Sequence, residues 1–161
     1  MIKRIGHDVT GQPGSWENGA SVIRMLLSEK IGPDSAKSTI IRDGSGMSKD
    51  NRVSPATMTR WLAALANDSS VAPTFIHSLP KPGEGTLERR FKSNRPKNEL
   101  RAKSGYIRNV RCLSGYVIDD KGRAIAFSIL ANDVPAGEED SAALQLHEQV
   151  VSLIDGYLNK D

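Results

Sequence analysis

The residues with most chemistry in them are Lys103, Ser104 and Gly105, consecutive inside Leu100 to Ile107, a run that reads as a β-strand. Glycine has no side chain to pack and weakens a strand interior, so it signals that another backbone or a ligand comes close. Lysine offers a compact positive charge, and serine a hydroxyl that turns to suit its partner. Side by side they can hold an anionic group against the edge of a sheet. An edge strand blunted by an outward lysine gives the same tripeptide. The three residues alone do not separate these readings.

Other chemistry is largely absent from the sequence. His7, His77 and His147 lie far apart, without the spacing of metal ligands. His147 falls in a helical pattern and is expected at a surface or interface. The single cysteine, Cys112, excludes an internal disulfide framework and a cysteine-rich zinc site; in a strand it reads as a small buried hydrophobe. There is no Gly-x-Ser-x-Gly elbow. The run Asp43-Gly44-Ser45-Gly46-Met47-Ser48 predicts a tight polar loop, and a phosphate cradle would need the Gly-Lys-Ser/Thr ending that it lacks. No cofactor or metal is expected.

A chain of 161 residues suits one domain with a real core, so residues 1–161 read as a single domain. With 38% hydrophobic and 25% charged residues it is ordinary for a globular protein. No apolar run approaches the roughly 20 residues that span a bilayer, and the N-terminus has no apolar signal-peptide region. The net charge of +3 is unevenly spread: Lys81 to Arg111 holds ten basic residues against three glutamates. Such a patch attracts anions. A nucleic acid, an anionic small substrate and a merely solvated face all fit. Only Phe91 and Tyr106 are aromatic there, which is thin for base stacking.

The elements that must carry these residues follow from caps and periodicity. Ser15 caps a helix over Trp16 to Lys30, stopped by Gly32-Pro33, with Val22, Ile23, Leu26, Leu27 and Ile31 as its apolar face. Ser38 to Ile41 reads as a short strand. Ser54-Pro55 starts a second helix, with Met58, Trp61, Leu62 and Leu65 on one face. Phe75 to Leu79 is a short apolar piece, and Thr86 to Phe91 one or two helical turns. Strands follow at Leu100 to Ile107, Arg111 to Ile118 and Ala124 to Leu130, the last two joined by the hairpin signal Asp119-Asp120-Lys121-Gly122. A final helix runs from about Ser141 to Asn159, with Leu144, Val150, Val151, Leu153, Ile154, Tyr157 and Leu158 as its apolar face.

Several motifs in one order resolve the ambiguity. Asp43-Gly44-Ser45-Gly46-Met47-Ser48-Lys49-Asp50-Asn51 resembles a segment of the D-alanyl-D-alanine carboxypeptidase/endopeptidase branch of penicillin-binding proteins. Gly14-Ser15-Trp16, Ser78-Leu79-Pro80, Gly85-Thr86-Leu87, Arg89-Arg90-Phe91, Ala102-Lys103-Ser104-Gly105 and Ser114-Gly115-Tyr116-Val117 fit the same family in its order. The resemblance implies an α/β fold: three antiparallel strands with flanking helices, like the C-terminal part of a penicillin-binding/β-lactamase-like transpeptidase domain. It also implies that Met1 to Gly6 is helical, and that the 124–130 strand has an unpaired edge.

The family's serine-type enzymes use Ser-x-x-Lys, Ser-x-Asn and Lys-Thr/Ser-Gly. By resemblance Lys103 is the catalytic residue that supports proton transfer and carboxylate recognition. Ser104 binds the substrate's terminal carboxylate, Gly105 admits the substrate backbone, and the Tyr106 N–H forms half of an oxyanion hole. No serine here has asparagine two residues later, and the one Ser-x-x-Lys, Ser78 to Lys81, aligns with a different family segment and carries Pro80. The chain therefore reads as a piece beginning beyond two of the three motifs, inactive by itself. The implied partners are peptidoglycan stem peptides, and β-lactams once the missing part is supplied. The implied place is the periplasm or cell envelope, with no nucleic acid. The alternative is a non-enzymatic basic module binding nucleic acid or an anionic polymer through residues 81–111.

Overall fold

The computed structural model describes residues 1–160, apart from the side chains of Glu138 and Glu139. The chain forms two compact units, Met1–Thr57 and the remainder from Met58 onward.

In the first unit, α1 (Ile2–Thr10) ends on Gly11, whose φ of 68° is the left-handed cap that glycine adopts without strain. Helix α2 (Trp16–Ile31) opens with a reciprocal capping box. The Ser15 hydroxyl accepts from the Asn18 N–H at 3.1 Å, and the Asn18 carbonyl oxygen accepts from the Ser15 N–H at 2.8 Å. The two helices cross through glycines: a methyl on Gly19 would lie 2.4 Å from the Ile2 carbonyl oxygen. Val22 and Leu27 of the expected apolar face are buried, whereas Leu26 is exposed.

Gly32-Pro33 stops α2 as expected and also starts α3 (Pro33–Lys37). The expected strand at Ser38 to Ile41 does not form. Ser38 caps α3, and only Ile40 pairs, in an isolated bridge to Arg52. Beyond the bridge the Arg42 N–H donates to the Asn51 side-chain oxygen at 2.8 Å in place of a ladder partner.

The second unit is built on an antiparallel sheet of order β1-β2-β3: Glu99–Ile107, Val110–Ile118 and Ala124–Ala131. The turn into β3 is the predicted one, with Gly122 at φ 80°. Leu100, Ala102, Leu113, Val117 and Phe127 share one sheet face, and Val151 and Leu158 of the last helix, α6 (Glu138–Leu158), join their cluster. On the other face Tyr116 is fully buried and its hydroxyl donates to the Leu62 carbonyl at 2.7 Å. Leu62 lies in α4 (Pro55–Ala66), which Ser54 caps through the Thr57 N–H. Phe75 to Ser78 belong to a longer helix, α5 (Ala72–Ser78), and Leu79 is its extended C-cap. The 86–91 region is helical only as a single 3-10 turn, Gly85–Leu87.

Helix α6 departs from its expected pattern in two ways. Leu153 and Tyr157 face solvent at 74% and 64% exposure, because Ala143, His147, Val151, Asp155 and Leu158 form the buried stripe. His147 is therefore a core residue rather than a surface one. It is fully buried, and neither ring nitrogen has a hydrogen-bond partner among the described residues. Burial, with Arg90 adding to it, pushes its pKa down to about 4, so the ring packs as a neutral group.

Candidate functional site

Strand β1 has β2 on one side and no partner strand on the other among the described residues. Its Ala102 N–H points outward and donates to the Pro80 carbonyl at 3.1 Å. N–H groups alternate between the two sides of an antiparallel strand, and the register from Glu99 to Ile107 is unbroken. The N–H groups of Ser104 and Tyr106 therefore face the same open side as that of Ala102.

Beside this edge lies a cleft of about 440 Å³, lined by Thr86, Arg90, Lys103, Ser104, Gly105, Tyr106, Arg111, Cys112 and Leu144. All four residues singled out in the sequence meet there. Lys103 is exposed, and its Nζ donates to the neighbouring Ser104 carbonyl at 2.6 Å. The Ser104 hydroxyl donates to the Thr86 carbonyl at 3.2 Å, so its proton is committed until it rotates. A methyl on Gly105 would sit 3.3 Å from Cys112 Cβ, so any side chain there would press that neighbour back by a few tenths of an ångström. Tyr106 is 70% exposed, with the Arg111 guanidinium 3.4 Å from its ring centre.

Two arginines in the wall are already paired with α6. The Arg90 Nε donates to Glu148 at 2.9 Å and its Nη2 to the Leu144 carbonyl at 3.0 Å. Glu148 also accepts the N–H of Phe91, a buried residue held at φ 59°. Arg111, 3% exposed, donates to Asp140 and to the carbonyls of Ile107 and Val110. The hydrogen bond from Arg111 holds the Asp140 carboxyl below the usual carboxylate range. Asp140, Leu144 and Glu148 recur every four residues, so one face of α6 backs the cleft. Lys103 is left as the cleft cation without a carboxylate partner among the described residues. It is the charge available to an anion.

Cys112 is half-buried and lines the cleft instead of filling the core. Burial pushes its thiol up, which keeps it protonated and a poor nucleophile. Ser78 ends α5 and donates to the Phe75 carbonyl at 2.6 Å, while Lys81 pairs with Glu99 at 3.0 Å. Both residues of the Ser-x-x-Lys match are engaged elsewhere. The basic segment is also less available than its composition implies, since Lys81, Arg90, Arg101 and Arg111 each meet a carboxylate.

In the first unit, the Asp43 carboxylate accepts the N–H groups of Gly46, Met47 and Ser48 at 2.9, 3.1 and 2.7 Å, together with the Asn51 amide at 2.9 Å. A phosphate in this loop would need those same donors, and Asp43 already occupies them. The bond from Asn51 leads in holding the Asp43 pKa at about 2.

Arg111 was within reach of sequence reasoning, because tight pairing of the strands sets it opposite Tyr106. Arg90 and Leu144 were not, because more than fifty residues separate these neighbours.

Comparison with known proteins adds to this geometry. The D-Ala-D-Ala carboxypeptidase 3 (S13) family matches residues 1–155. A D-alanyl-D-alanine carboxypeptidase of Actinomadura sp. (strain R39) is 34% identical over 158 residues, covering 92% of this chain and 28% of the relative. Carboxypeptidase DacB of Mycolicibacterium smegmatis is 29% identical over 154 residues, covering 89% of this chain and 33% of the relative. The chain thus spans about a third of the length of these relatives. In fold it is similar to penicillin binding protein 4 of Haemophilus influenzae solved with a β-lactam, with a TM-score of 0.72 at 21% identity, covering 95% of this chain and 36% of that one.

Proposed function

The chain belongs to the D-Ala-D-Ala carboxypeptidase 3 (S13) family, and from that premise we propose that its cleft binds the D-alanyl-D-alanine end of a peptidoglycan stem peptide. In this reading the terminal carboxylate docks on Lys103, with Ser104 rotating its proton from Thr86 to join it. Gly105 lets the peptide backbone lie along the β1 edge. The outward N–H of Tyr106 then meets the carbonyl oxygen of the terminal peptide bond. An N–H fixed in a strand needs no reorganisation when negative charge develops on that oxygen, which is what an oxyanion donor requires.

Lys103 has the second role of favouring proton transfer by its field. The sequence has no Ser-x-Asn, and its Ser-x-x-Lys pair is engaged elsewhere. The chain by itself therefore binds without turnover, as a Lys-Ser-Gly carboxylate strand without a nucleophile motif. Serine-type carboxypeptidase or endopeptidase action, and acylation by β-lactams, belong to a protein that also supplies that motif. Such a substrate places the work in the cell envelope or periplasm, with no call on nucleic acid. Among the described residues no helix is long and apolar enough to cross a membrane.

The observation that carries this reading is the β1 edge beyond Ala102, where the outward N–H groups of Ser104 and Tyr106 meet, in one cleft, the cation that has no carboxylate partner among the described residues. The test is a titration of the ¹⁵N-labelled chain with N-acetyl-D-alanyl-D-alanine. Amides of residues 103–106 are expected to shift, Lys103→Ala to abolish the response and Lys81→Ala to preserve it. A peptide capped as its C-terminal amide that binds as well as the free acid overturns the carboxylate assignment. Salt-sensitive binding of DNA without any response to the peptide would favour a polyanion-binding module instead.

A further inference from the structure

We infer that Arg111 is a positioning residue: anchored by Asp140, it clamps the Tyr106 ring and the β1 end as a fixed wall of the cleft. The consequence for ligand affinity rests on the function proposed above; the clamp itself does not. Tyr106 and Arg111 are cross-strand partners, so their side chains leave the sheet on the same face. An exposed tyrosine next to a hairpin turn ordinarily samples several rotamers. Here its ring lies against a guanidinium at 3.4 Å, within the range of a close cation–π stack.

The guanidinium itself has little freedom. It is 3% exposed, and its Nη1 holds the Ile107 and Val110 carbonyls at 2.9 and 2.8 Å, on the two sides of the turn. Its Nε holds Asp140, in the first turn of α6, where the helix dipole favours a carboxylate. The turn has a further tie, because the Asn109 carbonyl accepts the Val134 N–H at 3.0 Å.

The result is an aromatic face that is solvent-exposed and yet fixed, on the residue whose N–H faces the cleft. Such preorganisation spares a ligand the ordering of the wall it meets. A buried arginine serving only the hairpin would need the two carbonyls and the carboxylate, but not the ring. Lysine cannot replace it, since an ammonium lacks both the plane that stacks and the fork that reaches several acceptors.

The experiment uses ring ¹³C relaxation of tyrosine-labelled chain, first without ligand. The Tyr106 ring is expected to be as ordered as the strand backbone in the wild type. It should gain motion in Arg111→Met, in Arg111→Lys and, to a smaller extent, in Asp140→Asn, while the amide spectrum of α4 stays in place. A Tyr106 ring equally ordered in Arg111→Met overturns the inference. If that variant does not fold, an unchanged ring in Asp140→Asn overturns it. Restoration by Arg111→Lys would show a charge-only, structural role and also overturn it.

In the second arm N-acetyl-D-alanyl-D-alanine is added, and Arg111→Met is expected to weaken its affinity about tenfold. A wild type blind to the peptide but with an ordered ring would retire the proposed function and leave the clamp standing. A wild type that binds the peptide with a mobile ring would do the reverse.

Discussion

His147 sets the pH response at the scale of single residues. Its neutral ring is buried without partners among the described residues, and its folded pKa of about 4 lies below the ordinary 6.5. The unfolded chain therefore binds more protons in that interval, and stability falls as pH drops from about 6.5 to about 4. The gap corresponds to roughly 3 kcal/mol for one group. Arg90, on the loop packed beside α6, works in the same direction, and Glu148 opposes it. Urea unfolding at several pH values should show this slope. His147→Leu should flatten it and be neutral or stabilising at pH 7, because it removes two buried polar atoms with no partners to orphan. An unchanged slope in that variant would place the acid sensitivity elsewhere.

Asp43 responds in a lower window. Its carboxylate is held at about 2 by Asn51, burial opposing, and by the N–H groups of Ser48 and Gly46. Its contribution is complete above the ordinary carboxylate value and is lost as pH falls toward 2. Protection of the Gly46, Met47 and Ser48 amides, taken against the intrinsic exchange rate at each pH, should fall there, whereas Asp43→Asn should lower the protection of these amides at neutral pH as well.

Elements differ in how plainly the sequence announced them. Helices α2 and α4 were legible because a capping serine fixed their starts within one residue. The three strands were legible from apolar runs and one hairpin signal. Helix α3 was missed because its five residues carry no periodicity, and Gly32-Pro33 reads as a stop although proline also opens a helix. On α6 the apolar residues outnumber the positions that can face inward. Periodicity alone therefore did not reveal that His147 takes a core position and Leu153 a solvent one. The cleft was half legible: its strand residues are consecutive, but its Arg90, Thr86 and Leu144 walls depend on contacts distant in sequence.

Two glycines test packing at this scale. In a helix interior alanine exceeds glycine by about 1 kcal/mol. Gly156 of α6 has nothing within 4 Å of a built methyl, so Gly156→Ala should stabilise by up to about that amount. At Gly19 the methyl would meet the Ile2 backbone at 2.4 Å, where no side chain can move aside. Overpacking costs about 1–3 kcal/mol, which outweighs the propensity gain. Gly19→Ala should therefore lower the thermal midpoint while Gly156→Ala raises it. The same sign for both would refute the close α1–α2 crossing.

The whole molecule presents surfaces that favour association. Strand β3 carries neither a charged residue nor a proline, and among the described residues no strand pairs with its outer edge. Those are the devices that ordinarily protect an edge. On α6, Leu146, Leu153 and Tyr157 are 48%, 74% and 64% exposed, and their spacing of seven and four places them in one stripe. Burying a fully exposed large apolar side chain yields about 1.5–3 kcal/mol; scaled to the 48%, 74% and 64% still exposed, three on each side of a symmetric pair yield roughly 6–11 kcal/mol, within the range of the association cost of about 4–15 kcal/mol. Backbone hydrogen bonds along the free β3 edge, worth about 0.5–1.5 kcal/mol each, would add to this gain. Sedimentation across a dilution series should show the chain self-associating, and Leu153→Lys with Tyr157→Lys should return it to a monomer with unchanged helix content. A wild-type chain that stays monomeric throughout would mean that the stripe is too narrow to hold a pair. A double variant that still associates would move the contact to the β3 edge, where a lysine on the open side of the strand becomes the next substitution to make.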